Sequence, residues 1–127
     1  MKQFEQKQKQ PLIYIAGPYS AANAWDRHKN IAAAEDLSMQ AVKAGFAVHC
    51  PHSNFRHAYG WLPESVFVRA DITVMLRCDA LLILPGWEDS KGTQEEIAIA
   101  GKERIPAFFT LPAAVTHFAD RLEVVAA

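Results

Sequence analysis

Apolar residues in this chain come in short solid blocks separated by helix-like stretches. Leu12 to Ala16 (LIYIA) is an unbroken apolar, β-branched run, the pattern of a strand buried on both faces. Gly17 and Pro18 punctuate the chain after it, so GPYS is a turn. Asn23 is a suitable N-cap for a long helix through about Ala44, in which Ile31, Ala34, Leu37, Ala41 and Ala44 recur at helical spacing. Gly45 closes that helix in the position just past its end.

Phe46 to Cys50 predicts a second strand, stopped by Pro51. HSNFRHAYGWL reads as irregular. Pro63 opens a helix with an expected apolar face of Val66, Ala70 and Val74, and with Asp71 about two turns in. Ala80 to Leu84 is the third strand, PGWEDSKG a loop, and Gly92 to Lys102 a short helix. Ile105 to Phe109 is the fourth strand, Pro112 starts a last helix to about Asp120, and Leu122 to Val125 is a candidate fifth strand. Apolar strands alternating with helices predict a doubly wound α/β fold, flavodoxin- or Rossmann-like. Its mostly parallel sheet of four to five strands carries helices on both faces.

That architecture makes a functional forecast. Ligands of such sheets bind outside the carboxyl ends of the strands. Here those ends lead into GPYS, PHSN and PGWEDSKGT, where Gly, Ser, His and Trp concentrate.

Composition narrows the classes. The chain has 127 residues, enough for one domain, expected over 11–127 behind a disordered tail at 1–10. Thirteen basic residues against 14 acidic give a net charge of -1, which argues against binding a nucleic-acid polymer. No apolar run approaches the roughly 18 residues of a membrane span. The polar start MKQFEQKQKQ lacks the apolar region of a secretory signal, and two unpaired cysteines fit a reducing compartment, so a cytoplasmic protein is expected. His49, Cys50, His52 and His57 lack metal-ligand spacing, and Gly17-Pro18 is neither a dinucleotide nor a Walker loop. Neither a metal nor a cofactor is therefore expected.

Three side chains carry candidate chemistry. Glu96 lies one turn into the helix after LPGWEDSKGT, where the helix amino end is expected to favour its ionised form. It is either a nucleophile facing a pocket or an acidic residue at a helix start. Asp71 is either on a solvent face beside Arg69 or held in a cleft. Tyr14 is core packing, or, if buried, a hydroxyl that needs a partner such as a carboxylate at a neighbouring strand end. Ser90, Gly92 and Thr93 sit where a helix start exposes unpaired amides, a favourable place for an anion. His52 is a ligand contact or a turn residue. Tyr19, Trp25, Phe55, Tyr59, Trp61 and Trp87 are aromatic groups able to stack on a base or cover the core.

IYIAGPYS together with RADITVMLRCDALLILPGWEDSKGTQEEIAIA resembles the nucleoside 2-deoxyribosyltransferase-like superfamily, within it a phage- and bacterium-associated group of undefined substrate. The shared positions are Tyr14, Gly17, Pro18, Arg69, Asp71, Cys78, Asp79, Trp87, Ser90, Gly92 and Glu96. The resemblance implies cleavage or transfer at an N-glycosidic bond of a 2′-deoxynucleoside or its 5′-monophosphate. Glu96 would be the nucleophile, Asp71 the carboxylate assisting at base or sugar, and Tyr14 the group orienting Glu96. Ser90 would lie at the sugar 5′ end, with Gly17, Tyr19, Ser20, His52, Trp87, Gly92 and Thr93 completing a substrate site. It also implies a homodimer or larger homo-oligomer. Where nucleotide-specific hydrolases of the superfamily have a serine and an arginine after the first-loop glycine, this chain has Pro18 and Ser20. Two rivals stand beside this reading. LPGW…GTQEE is similar to the phosphate loop of Lonely-Guy-type phosphoribohydrolases, without their consecutive glycines. A non-catalytic nucleotide sensor would use the same pocket, and would leave Glu96 pointing to bulk solvent.

Overall fold

The computed structural model describes residues 10–55, 58 and 60–123. Strand β1 (Leu12–Ala16) is followed by helix α1 (Ala24–Lys43), strand β2 (Ala47–His49) and a single helical turn α2 (Pro51–Asn54). Helix α3 (Glu64–Met75), strand β3 (Ala80–Ile83), a 3-10 turn (Trp87–Asp89) and helix α4 (Lys91–Lys102) come next. Strand β4 (Ala107–Phe108), helix α5 (Leu111–His117) and a 3-10 turn (Ala119–Arg121) complete the described chain. The strands form one parallel sheet in the order β2-β1-β3-β4. The doubly wound α/β fold expected from the sequence is the one observed.

Strand alternation divides the core in two. Ile13, Ile15, Ala80 and Leu82 face one side of the sheet, where Ala34 and Ala41 of α1 and Ala114 of α5 cover them. Tyr14, Ala16, Leu81 and Ile83 face the other, against Met75 at the end of α3 and Ala100 of α4. Polar capping sets the helix starts. The Asn23 side chain accepts from Asp26 N at 2.8 Å, and Ser90 and Thr110 cap α4 and α5 in the same way. Gly45 has φ +110, and a Cβ there would approach the Glu123 carbonyl oxygen to 2.8 Å, so glycine is required on both counts.

Several expectations need correction. PHSN is a helical turn, not irregular chain, because Pro51 is well suited to a first helical position. Val66 and Leu76 of α3 are exposed, Val68 is exposed at the cleft, and the inward side carries Phe67, Asp71 and Met75. Ala70 is exposed as well, so of the expected apolar face Val66, Ala70 and Val74 only Val74 packs against the core. The fourth strand is only Ala107–Phe108, and the last helix ends at His117. Leu122 and Glu123 form no strand, and the remainder of the candidate fifth strand lies outside the described residues, as do 1–9 of the expected tail, Arg56, His57 and Tyr59. Among the described residues no helix is long and apolar enough to cross a membrane.

From β1 the chain winds outward to β2, then returns past β1 to β3 on its other side. The carboxyl ends of β1 and β3 thus diverge at a switch point, which opens a crevice. Close packing at its floor fixes Gly17: a Cβ there would stand 2.6 Å from the Leu84 Cβ. Gly17→Ala is expected to cost on the order of 1–3 kcal/mol, as overpacking does. Urea unfolding of variant and wild type checks this; equal midpoints would show that Leu84 yields freely.

Candidate active site

The crevice is a cleft of about 880 Å³ at the carboxyl ends of β1, β2 and β3. Its walls come from the GPYS turn, α2, the inward side of α3 and the start of α4.

Tyr14 reaches the cleft from inside the sheet. Its position in β1 turns it toward the α3/α4 side, and it is fully buried. The Tyr14 hydroxyl donates to Glu96 Oε2 at 2.6 Å. Glu96 is delivered by α4, whose inward stripe is Thr93, Glu96, Ile97 and Ala100, spaced by three, one and three residues. A carboxylate therefore occupies a core-facing slot and meets the tyrosine across the sheet surface. Asp71 is placed by the corresponding inward stripe of α3 and lines the same cleft. Its Oδ1 is buried with no hydrogen-bond partner among the described residues. A buried acceptor without a partner is costly, and a ligand with a donor would relieve it.

Burial dominates the electrostatics. Desolvation pushes the Glu96 carboxyl up to about 7; the Tyr14 hydrogen bond and His52 oppose this, and the charge of Asp71 adds to it. The helix amino end was expected to favour ionisation, but Glu96 is past the first turn, where that effect has faded. Asp71 is pushed up to about 6 by burial, with His52 pulling it back. Burial, the nearby Glu96 charge and the hydrogen bond to it all raise the Tyr14 hydroxyl, which stays protonated as a donor.

His52 is 3% exposed, and its Nε2 lies 2.9 Å from the Pro18 carbonyl. A carbonyl only accepts, so Nε2 carries the proton and the ring is locked against the GPYS turn. Burial lowers its pKa, yet the Cys50 thiol and the Pro18 carbonyl outweigh that and leave it raised. Tyr19 meets the His52 ring edge-on at 5.7 Å between centroids. The Ser20 hydroxyl donates to Glu64 Oε1 at 3.1 Å. Ser90 Oγ accepts from Thr93 N at 3.3 Å and shares a 2.7 Å hydrogen bond with Thr93 Oγ1.

Of the positions singled out in the sequence, Tyr14, Gly17, Tyr19, Ser20, His52, Asp71, Ser90, Gly92, Thr93 and Glu96 line this one cleft. Trp87 does not: it packs on Phe109 at 5.2 Å and covers the α3/α4 side of the core. Phe55, Glu64, Phe67, Asp89 and Lys91 line the cleft and were not singled out as site positions, Phe55 apart as one of the aromatic set. Phe67 could have been found from its spacing, four residues before Asp71 on the same helix.

Residues 11–109 match the family model described as Domain of unknown function (DUF4406). The chain belongs to that family. The matched span runs from β1 through β4 and so contains every residue of the cleft. No curated protein matches the chain in sequence. In structure it is similar to a 2-deoxyribosyltransferase from the psychrotolerant bacterium Bacillus psychrosaccharolyticus, described as a biocatalyst for synthesis of antiviral and antitumoral nucleosides. The likeness has a TM-score of 0.51 at 17% identity and covers 87% of this chain and 82% of that one. At that identity the likeness establishes the fold shared by this DUF4406 member and the transferase.

Proposed function

We propose that this protein breaks or transfers the N-glycosidic bond of a 2′-deoxynucleoside or its 5′-monophosphate through a covalent deoxyribosyl-Glu96 ester. The observation that carries the reading is the Tyr14–Glu96 hydrogen bond inside a cleft that Asp71 also lines. A merely structural acid at a helix start would face water. The same geometry favours catalysis over sensing, because Glu96 points at Tyr14 and not at bulk solvent. The likeness in fold to a 2-deoxyribosyltransferase adds weight.

The chemistry follows double displacement. Tyr14 holds Glu96 Oε2, which leaves Oε1 to attack the anomeric carbon. As the C1′–O bond forms, the C1′–N bond breaks and its electron pair goes to the base. Protonated Asp71 supplies a proton to the leaving base. Water or a second base then gives a proton back to the Asp71 carboxylate as it attacks C1′, the C1′–O bond to Glu96 breaks and the Glu96 carboxylate is released, with net retention. No cofactor takes part. The reading extends to a cytoplasmic homodimer or larger assembly, for which the exposed Val66 and Leu76 of α3 supply apolar surface; light scattering should give at least twice the monomer mass.

The deciding experiment is base release from a panel of 2′-deoxynucleosides and their 5′-monophosphates, with and without an acceptor base, by wild type beside Glu96→Ala. Release by wild type alone supports the reading. Release by neither, with nucleotides still raising the melting temperature, would put sensing in its place.

Tyr14→Phe has a separate signature. Loss of the hydroxyl removes the hydrogen bond by which Tyr14 favours ionised Glu96. The Glu96 pKa should rise above about 7, lowering kcat/KM roughly tenfold at pH 7, with the deficit against wild type narrowing at pH 8–9. A ratio of variant to wild-type rate that does not change with pH would deny Tyr14 this role.

A further inference from the structure

We infer that the cleft selects 2′-deoxynucleosides with a free 5′-hydroxyl over their 5′-monophosphates, and that Glu64 enforces the choice through its hydrogen bond with Ser20. The inference rests on the glycosidic reading above and narrows its substrate class.

Charge is the first argument. Among the described residues lining the cleft, five are carboxylates (Glu64, Asp71, Asp89, Glu95 and Glu96) and Lys91 is the single ammonium or guanidinium. Even with Asp71 and Glu96 partly protonated near neutrality, the wall is net negative, and a phosphate carrying nearly two charges is repelled from it.

Donor supply is the second. A phosphate at pH 7 chiefly accepts hydrogen bonds and needs free donors. The Ser20 hydroxyl is committed to Glu64 at 3.1 Å, the Thr93 amide donates to Ser90 Oγ, and the Ser90 and Thr93 hydroxyls share one hydrogen bond, so the pair keeps only one free donor. A sugar hydroxyl can both donate and accept, so it can give its proton to Glu64 while accepting from Ser20. A phosphate placed there would set two acceptors of like charge against each other. Such an unfavourable contact against the wrong ligand is how a site discriminates between two that share a base and a sugar.

Two features pull the other way. His52, with its raised pKa, adds part of a positive charge to the cleft, and Lys91 and the amino end of α4 attract anions. That end is flanked by Asp89 on one side and by Glu95 and Glu96 on the other, all at the cleft. The carboxylates outnumber the ammonium there too.

Calorimetric titration of the Glu96→Gln protein, which cannot turn over, with the four common 2′-deoxynucleosides and their 5′-monophosphates reads selectivity apart from catalysis. Nucleosides should bind roughly 100-fold more tightly than the matching monophosphates. Adding Glu64→Gln should narrow the ratio roughly tenfold, chiefly by tightening the monophosphate. Glu64 is exposed, so the variant is expected to fold. Preference for monophosphates, or a ratio that Glu64→Gln leaves unmoved, overturns the inference while wild-type base release still stands for the glycosidic reading. Binding of neither ligand class overturns the inference, and overturns the glycosidic reading too if wild type releases no base.

Discussion

Glu96→Gln is expected to lower base release by roughly 1,000-fold or more and, at pH 8, to make the protein more stable than wild type. The two effects share one cause. A nucleophilic carboxylate is useful only when ionised, and Glu96 is held where ionisation is disfavoured: its pKa stands at about 7 against an ordinary 4.5, chiefly through burial. That interval corresponds to on the order of 3 kcal/mol. Because the folded pKa is the higher, the folded state binds the proton more tightly. The stability Glu96 contributes is therefore full below about pH 4.5 and is lost as pH rises through about 7. An amide at this position has no proton to lose. The variant should gain on the order of 1–3 kcal/mol at pH 8, a gain that vanishes at pH 4.5. Melting curves of both proteins at the two pH values measure it. A pH-independent difference would mean that burial does not set the Glu96 pKa, and retained turnover would remove Glu96 as nucleophile.

The fold was readable from the sequence because its signals are local. LIYIA and ALLIL are too apolar for surface strands, Asn23 and Gly45 bracket α1, and Gly17-Pro18 must interrupt β1. The weakest element was β4, two residues long, whose existence depends on pairing with β3 and not on its own composition. The candidate fifth strand had the composition, but its described residues, Leu122 and Glu123, pair with no strand.

The site was legible unevenly. Glu96 shares the face of Thr93, Ile97 and Ala100, an acid within an otherwise core-facing stripe, and that spacing was present in the sequence. It distinguishes Glu96 from Glu95, which is exposed. Asp71 offered no such signal, because α3 is apolar on nearly every side. Val66, Phe67, Val68, Ala70, Ile72, Val74, Met75 and Leu76 leave several faces equally suited to the core. Only the packing of Met75 against β1 and β3 decides which is used. Trp87 failed for the opposite reason. An aromatic in a polar loop invites a binding role, but Phe109, distant in sequence, gives it a packing role. The Ser20–Glu64 contact joins positions 44 residues apart and lay beyond any local pattern.

Asp71→Asn tests the other half of the chemistry. At about 6, the Asp71 pKa lies just below that of Glu96 at about 7, and the two charges raise Glu96 further by repulsion. Between those values the pair carries close to one proton, and the titration belongs to both groups together. Glu96, with the higher pKa, holds that proton most of the time; the productive arrangement is the less populated one, with Glu96 ionised and the proton on Asp71, ready for the base. Wild-type kcat/KM should accordingly be bell-shaped with its maximum near pH 6–7, falling on the acid side as Glu96 is protonated and on the alkaline side as Asp71 loses its proton. Asparagine still fills the space around the buried Oδ1 but has no acidic proton to give. The variant should lose roughly 100- to 1,000-fold on ordinary deoxynucleosides, and much less on a substrate whose base leaves without protonation. Its profile should keep the acid limb, now set by Glu96 alone beside a neutral neighbour and so no lower in pH than in wild type, and should lose the alkaline limb. If both limbs persist in the asparagine variant, Asp71 is a binding group, and the proton for the departing base comes from elsewhere.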